Sequence, residues 1–267
     1  NLSGQPLDYS LGISQASNLI LGSELSESFS TASDKTKSNF KTWIQGDYND
    51  SNYFEDLDQC LNDFSADKPE FDYKITNDDD ALYIYTSGTT GNPKAAKISH
   101  KRLRLMMLGF KGAVQPNKND RVYNVLPLYH SAGGVIAVGL ALTSGASLVL
   151  KRKFSVNEFW DDVHKYKVTI FQYIGELCRY LLNAPYHKHE KDHNLRVVSG
   201  NGLRPDIWDN FKERFKITNI LEFYGATEGN VSLMNYDGKS GAIGRIPKYM
   251  QKILNIHIIK FLSLIHI

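Results

Sequence analysis

"YIYTSGTTGNPK", residues 83–94, is the stretch on which the reading of this 267-residue chain turns. It closes a β-like run, "ALYIYT", with a loop of hydroxyls, glycines and one lysine. Gly88 and Gly91 let backbone N–H groups turn toward an anion. Thr86, Ser87, Thr89 and Thr90 add hydroxyl donors, and Lys94 adds a charge able to reach β- or γ-phosphate oxygens. The dinucleotide fingerprint G-x-G-x-x-G is absent, and so is the NTPase pattern G-x-x-x-x-G-K-[ST]. Here the glycines are three apart, Pro93 precedes the lysine and Ala95 follows it. A polar strand-to-helix turn is the bland reading. Four hydroxyls, two glycines and a lysine within nine residues favour a phosphate cradle of a different kind.

Outward from this loop, short β-like runs alternate with helical ones. The strand candidates are "ALYIYT", "RVYNVLP", "SLVLKR", "VTIFQYI", "LRVVSG" and "ILEFYG"; helices are expected over 99–111, 155–166, 175–183 and 205–214. This alternation predicts an α/β fold with a mainly parallel sheet flanked by helices. In such sheets ligands sit beyond the carboxyl ends of the strands. Four unusual loops follow strands here, "TSGTTGNPK", "LYHSAGG", "GNGLRP" and "GATEGN", and are expected to converge on one cleft. Residues 1–80 read as a partial N-terminal subdomain and an acidic connection, 81–250 as the core, and 251–267 as a truncated strand or non-native tail. Within the first part a helix ("LDYSLGISQA") and a strand ("NLILGS") precede a polar stretch, and "NDDDA" reads as a solvated face.

The composition narrows the function classes. A hydrophobic fraction of 42% with 22% charged residues fits a globular core, and a net charge of +2 gives no case for nucleic acid. Cys60 and Cys178 match no metal or redox spacing and read as free thiols, Cys178 as core. Residues 133–150 form the longest uncharged run, but Gly, Thr and Ser interruptions favour a buried helix, a turn and a strand over a membrane span. No signal peptide opens the chain, which starts without Met, so a missing N-terminus is expected. "KISHKRLRL" and "VLKRKF" are basic and read as solvated faces, with lipid-headgroup contact left open.

The downstream loops supply candidate chemistry. His130, before Ser-Ala-Gly-Gly, carries two readings: a satisfied structural residue, or a neutral donor to a carboxylate or α-phosphate. Gly200 and Gly202 could let backbone lie against a flat ring, or simply make a turn before the helix at Pro205. Tyr224 can stack, Thr227 can donate, and Glu228 can hold Mg²⁺, which binds through one or two carboxylates plus phosphate oxygens. A plain surface acid is the alternative for Glu228.

Taken together, "YTSGTTGNPK", "LPLYH" and "YGATE", in that order, resemble the core motifs of the adenylate-forming superfamily of acyl-CoA synthetases, luciferases and peptide-synthetase adenylation domains. "YIYTSGTTGNPKAAKISH", "LPLYHSAGG", "GNGLRPDIW" and "EFYGATEGNVSL" are most similar to its fatty acid transport protein/very-long-chain acyl-CoA synthetase branch. The resemblance covers about residues 1–250. It implies the large N-terminal domain of such an enzyme, in truncated form. It also implies a two-step ligase reaction: ATP-dependent adenylation of a long- or very-long-chain fatty acid, then thioester formation with coenzyme A.

By the same resemblance Tyr83, Ile84, Tyr85, Thr86, Ser87, Gly88, Thr89, Thr90, Gly91, Asn92, Pro93 and Lys94 bind the ATP phosphates. Gly200, Asn201, Gly202, Tyr224, Gly225, Ala226 and Thr227 border the AMP part. Lys94, His130, Thr227 and Glu228 form the catalytic set, with Glu228 as the Mg²⁺ ligand. "FQYIGELCRYLL" would wall an acyl tunnel, although its periodicity alone favours plain core. The resemblance further implies membrane association through segments outside this chain, at the endoplasmic reticulum or plasma membrane, with the catalytic domain facing the cytosol; a homo-oligomer is left open. The family's Tyr-x-x-Gly-Asp segment and its lysine-bearing C-terminal domain are not in the chain, so weak nucleotide binding and poor turnover are expected of it alone.

Overall fold

The computed structural model describes residues 2–48, 54–86, 93–229 and 232–246. It divides into two units, Asn1–His100 and Lys101–Ile267. In the first, α1 (Gly4–Ser14) leads into β1 (Asn18–Gly22), and the short helices α2 (Ser26–Ser30) and α3 (Asp34–Lys37) lead to β2 (Lys41–Gln45). β1 and β2 pair in parallel from Asn18↔Lys41 to Gly22↔Gln45, and β3 (Glu55–Asp56) pairs in parallel with β2. The sequence assigns β2 to a polar stretch. Its Thr42 and Ile44 are in fact buried while Lys41 and Gln45 face out, so a period-two signal was hidden by polar ends. Helix α4 (Leu57–Leu61) follows, capped by Asp56, whose Oδ1 accepts from the Gln59 N–H at 2.9 Å. Residues 61–80 are exposed throughout, as the acidic connection predicts.

The largest departure from the sequence reading lies at the opening motif. β4 (Asp80–Thr86) is followed not by a crossover helix but by β5 (Lys94–Ser99), antiparallel to it from Thr86↔Lys94 to Asp80↔Ser99. The glycine-rich stretch therefore stands between two strands of an antiparallel pair, not between a strand and a helix. "KAAKIS" is weak in β-formers, and cross-strand partners make it a strand. Ile98 and Ile84 are buried together on one face. On the other, Asp80 takes a hydrogen bond from the Tyr83 hydroxyl at 2.6 Å and pairs with Lys97 at 3.0 Å. The last aspartate of "NDDDA" is thus a cross-strand partner as well as part of an exposed run.

The second unit is built on a six-stranded sheet. α5 (His100–Val114) precedes β6 (Arg121–Asn124); a π-helix (Ser131–Ala137), α6 (Val138–Ser144) and β7 (Ser147–Leu150) follow. Then come α7 (Val156–Lys165), β8 (Ile170–Ile174), α8 (Gly175–Asn183), β9 (Val197–Asn201), α9 (Pro205–Arg214), β10 (Ile220–Tyr224) and β11 (Leu233–Met234). The strand order is β11-β10-β9-β8-β6-β7, parallel except for β11. The run 133–150 resolves into helix, turn and strand as expected, with Gly145 in the left-handed region ending α6.

Each face of the sheet carries its own core. Tyr123, Phe171 and Val198 pack with Phe159, Trp160, Leu181, Trp208 and Phe211 from α7, α8 and α9. Val122, Ile170, Val197 and Leu221 pack with Phe110 of α5 and Leu140 of α6. Burial on both faces explains why these strands are continuous apolar runs. Cys178 and Leu181 of "FQYIGELCRYLL" belong to the first core, in agreement with the plain-core reading of that segment. Both cysteines are free.

Candidate nucleotide-binding site

Parallel pairing brings the carboxyl ends of β6, β8, β9 and β10 to one edge of the sheet. Three of the four predicted loops leave from that edge: "LYHSAGG" after β6, "GNGLRP" after β9 and "GATEGN" after β10. The fourth stands between β4 and β5 of the first unit. There Ile84 is buried, Tyr83 serves Asp80, the Tyr85 hydroxyl donates to the Ser10 carbonyl at 2.6 Å, and exposed Lys94 opens β5 opposite Thr86. Pro93 is half-buried just before β5, and Ser87, Gly88, Thr89, Thr90, Gly91 and Asn92 lie outside the described residues.

The loop after β6 folds back on itself. The His130 N–H donates to the Pro127 carbonyl at 3.1 Å, and the Gly134 N–H donates to the His130 carbonyl at 2.8 Å. A Cβ at Gly133 would press on the Leu126 and Pro127 carbonyls, and one at Gly134 would overlap the Leu128 carbonyl, so Gly-Gly is a requirement of this fold-back. His130 is exposed and caps the π-helix: its Nδ1 accepts from the Ala132 N–H at 3.2 Å. That bond makes Nε2 the N–H donor of the ring. The structural reading of His130 is thus met through Nδ1, and the donor reading falls to Nε2.

The loop after β9 rests on a buried carboxylate that the sequence reading missed. Glu222 of β10 is 3% exposed. It accepts from the Tyr173 hydroxyl at 2.5 Å, from the Leu203 N–H at 3.2 Å and from the Gly202 N–H. Gly202 has φ +85°, a conformation that favours glycine. At Gly200, a Cβ would press on the Tyr173 ring and carbonyl, so that glycine has an intramolecular partner in its own neighbouring strand. Asn201 ends β9 with its side chain exposed. A glutamate inside the apolar run "ILEFY" was the available signal, since a charge in a doubly covered strand needs partners.

The loop after β10 is tied at two points. Thr227 Oγ1 and Ser131 Oγ are 3.1 Å apart, joining it to the His130 loop. Arg102 of α5 donates through one guanidinium nitrogen to the Thr227 carbonyl at 2.6 Å and to the Gly229 carbonyl. Arg102 belongs to the basic run "KISHKRLRL", so for this residue the solvated-face reading is corrected: its charge is spent on loop carbonyls. Tyr224, Gly225 and Ala226 are exposed, and so is Glu228, whose carboxylate has no hydrogen-bond or ion-pair partner among the described residues.

Burial raises the Glu222 carboxyl above its ordinary value, against the lowering effect of its Tyr173, Gly202 and Leu203 hydrogen bonds. A raised folded value means that its stability contribution is full below about pH 4.5 and is lost as pH rises through the folded value. Glu222→Gln keeps an acceptor for both N–H groups and removes the charge. We expect the variant to gain on the wild type as pH rises above 4.5, by up to about 1.4 kcal/mol per pH unit, in urea unfolding followed by Trp160 and Trp208 fluorescence. A stability difference independent of pH would refute this account of Glu222.

The chain's likeness to known proteins defines its class. Residues 1–258 match the family model described as AMP-binding enzyme, and the chain belongs to that family. Human long-chain fatty acid transport protein 1 is 42% identical over 263 residues, which are 97% of this chain and 41% of that protein. The chain thus spans about two fifths of the length of this curated relative. Among solved structures, ATP-bound MatB from Rhodopseudomonas palustris superimposes with a TM-score of 0.73 at 23% identity, over 89% of this chain and 46% of that one. The inhibitor-bound N-terminal domain of FACL13 from Mycobacterium tuberculosis gives 0.77 at 20% identity, over 91% and 60%. Similarity at that level establishes the fold alone, the one these structures share.

Proposed function

We propose that the protein carrying this chain is a long-chain or very-long-chain fatty acid–CoA ligase. One observation carries the reading: the Thr227–Ser131 contact joins the two loops of the parallel edge that present Glu228 and His130. Support for the substrate class comes from the name of the human relative. In the reaction, a fatty acid carboxylate oxygen bonds to the α-phosphorus of ATP and pyrophosphate leaves. The thiol sulfur of coenzyme A then bonds to the acyl carbon and AMP leaves. Both steps develop charge on oxygen, so positioning and preorganised donors are the main contributions of the protein.

The candidate residues from Thr86 onward have parts in that scheme. The hydroxyls and backbone of Thr86–Lys94 are assigned to the β- and γ-phosphates. Thr227 is assigned to an α-phosphate oxygen, and the Nε2–H of His130 to the carboxylate or the α-phosphate. Gly200, Asn201, Gly202, Tyr224, Gly225 and Ala226 are assigned to adenosine. Glu228 fits a hard cation, because it is an exposed carboxylate with no protein partner among the described residues. Bound Mg²⁺ there would supply charge neutralisation on phosphate oxygens. Glu228→Ala is expected to weaken Mg²⁺–ATP binding about tenfold or more while leaving metal-free AMP affinity unchanged, by titration calorimetry. Equal losses for both ligands would remove Glu228 from the metal site.

Arg102 acts at one remove, as a positioning residue. Arg102→Met is expected to weaken AMP binding about tenfold, the value of one charged hydrogen bond, with little change in the unfolding midpoint. Unchanged affinity would leave Arg102 a surface tie only.

The decisive test is binding of a non-reactive oleoyl-adenylate sulfamoyl analogue. We expect at least tenfold tighter binding than for AMP; equal affinity would remove the fatty acid from the proposal, and binding of neither would remove the nucleotide. The relative's name also favours a second reading, uptake of fatty acids at a membrane, either by trapping them as CoA esters or independently of catalysis. Among the described residues no helix is long and apolar enough to cross a membrane. Uptake that survives Glu228→Ala while ligase activity dies would make transport independent.

A further inference from the structure

Away from the nucleotide edge, the turn-rich segment between α8 and β9 reads "NAPYHKHEKDHN", residues 183–194. It packs beside the C-terminal end of α7. There the rings of His164 and His189 stack with centroids 3.9 Å apart and planes 15° from parallel. Asp192 Oδ2 lies 3.4 Å from Nδ1 of His164 and 3.7 Å from Nδ1 of His189. One donor atom from each of the three residues lies within 4.8 Å of the others. We propose that His164, His189 and Asp192 bind a borderline divalent transition-metal ion of the Zn²⁺ class, cross-linking α7 to this segment.

The spacing is the first argument. A tetrahedral zinc with bonds of about 2.0–2.1 Å has ligand–ligand edges of about 3.3–3.4 Å. The two nitrogen–oxygen separations are therefore close to coordination edges, and rotation of one histidine out of the ring stack would turn both in-plane lone pairs to one ion. The donor set is the second. Two imidazoles and one carboxylate favour zinc, copper or nickel over magnesium or calcium, which take oxygen ligands. Three protein ligands leave a fourth position for water.

The surroundings are the third argument. On the far side of the His189 ring, Asp161 Oδ1 is 3.9 Å from Nε2. That is beyond hydrogen-bond distance, and a small side-chain shift would let this carboxylate accept the second N–H of a ligating histidine, the usual outer partner of such a ligand. Asp161 Oδ2 is also 3.5 Å from Nε2 of His187. Both halves of the site stand on rigid supports. Phe159, Trp160 and Val163 anchor α7 in the core, and the ion pair of half-buried Arg214 with buried Glu190 at 2.8 Å pins the segment. Without metal, His164 Nδ1 is 3.1 Å from the Asp192 carbonyl. Coordination through that nitrogen releases its proton or shifts it to Nε2, so binding is expected to weaken in acid.

The test uses the untagged chain. Co²⁺ is titrated while visible d–d absorption is recorded, and Zn²⁺ is then added in competition. One saturable equivalent is expected, with a tetrahedral band that Zn²⁺ abolishes. His164→Ala, His189→Ala and Asp192→Asn should each lower affinity at least tenfold. Should His189→Ala fail to fold, His164→Ala and Asp192→Asn carry the test, since both of those side chains are substantially exposed. Unfolding midpoints supply a second readout: Zn²⁺ should raise that of the wild type and not that of His164→Ala. Absence of a saturable equivalent, or affinity unchanged in the variants, would overturn the site and leave a hydrogen-bonded histidine cluster.

Discussion

Arg214→Met should destabilise the second unit by about 3–5 kcal/mol, the cost of stranding a buried charge. The charge is that of Glu190, whose side chain is 3% exposed. Arg214 donates to it through Nε at 3.2 Å and through a terminal nitrogen at 2.8 Å, and the His187 N–H adds a third bond at 3.1 Å. The same guanidinium reaches the Leu182 carbonyl at 2.6 Å and the Pro185 carbonyl at 3.2 Å. Its loss therefore frees the segment after α8 from α9.

The pH dependence separates this account from simple loss of packing. Burial pushes the Glu190 carboxyl up, but the Arg214 hydrogen bond and the His187 N–H together outweigh it and hold the group below its ordinary value. A depressed folded value means that its stabilisation is full above about pH 4.5 and is lost as pH falls through the folded value. In the methionine variant burial acts with one opposing bond instead of several, and protonation relieves the stranded charge. The gap between wild type and variant should narrow on acidification in urea unfolding. Arg214→Met combined with Glu190→Leu should recover most of the loss, because a buried pair replaced by apolar groups is nearly neutral. A gap constant with pH, with no rescue by the double variant, would refute the stranded-charge mechanism.

Gly175→Ala is the second large effect. Gly175 opens α8 where β8 ends, and its absent side chain is what lets the "GNGLRP" loop lie against it. A Cβ there would overlap the Gly202 carbonyl and stand 2.8 Å from the Leu203 nitrogen. Both obstacles are backbone, and the loop cannot simply swing aside, because Glu222 holds the N–H groups of Gly202 and Leu203. We expect a loss of about 3 kcal/mol, the upper part of the range for overpacking, with a parallel loss of AMP affinity. Gly112→Ala in α5 is the control: nothing stands within 4 Å of its Cβ, so a gain of about 0.5–1 kcal/mol is expected. Equal behaviour of the two variants in urea unfolding would show that the Gly175 contact does not constrain the loop.

Much of this fold was legible because its signals are local. Helices 175–183 and 205–214 match their expected bounds to the residue. The first begins at a glycine and the second at Pro205, an N-terminal helix position that suits proline. β8, β9 and β10 are apolar runs ended by loops of unusual composition, and doubly covered strands leave that trace. The order of the motifs likewise marked the family before any geometry was known.

What the sequence by itself determined was therefore the parallel α/β core, its edge loops and the residue types that suit a nucleotide. Tertiary structure alone decided that the glycine-rich stretch is followed by a strand, because "KAAKIS" becomes one only by pairing with β4. It also decided that Arg102 holds the Thr227 loop from 125 positions away. The buried carboxylate of Glu222 supporting Gly202, 20 positions before it, is of the same kind. Periodicity and turn chemistry report on neighbours a few residues apart. The identity of a partner met only after the chain has folded back leaves no mark in the local sequence, even where the charge itself stands out, as Glu222 does in "ILEFY".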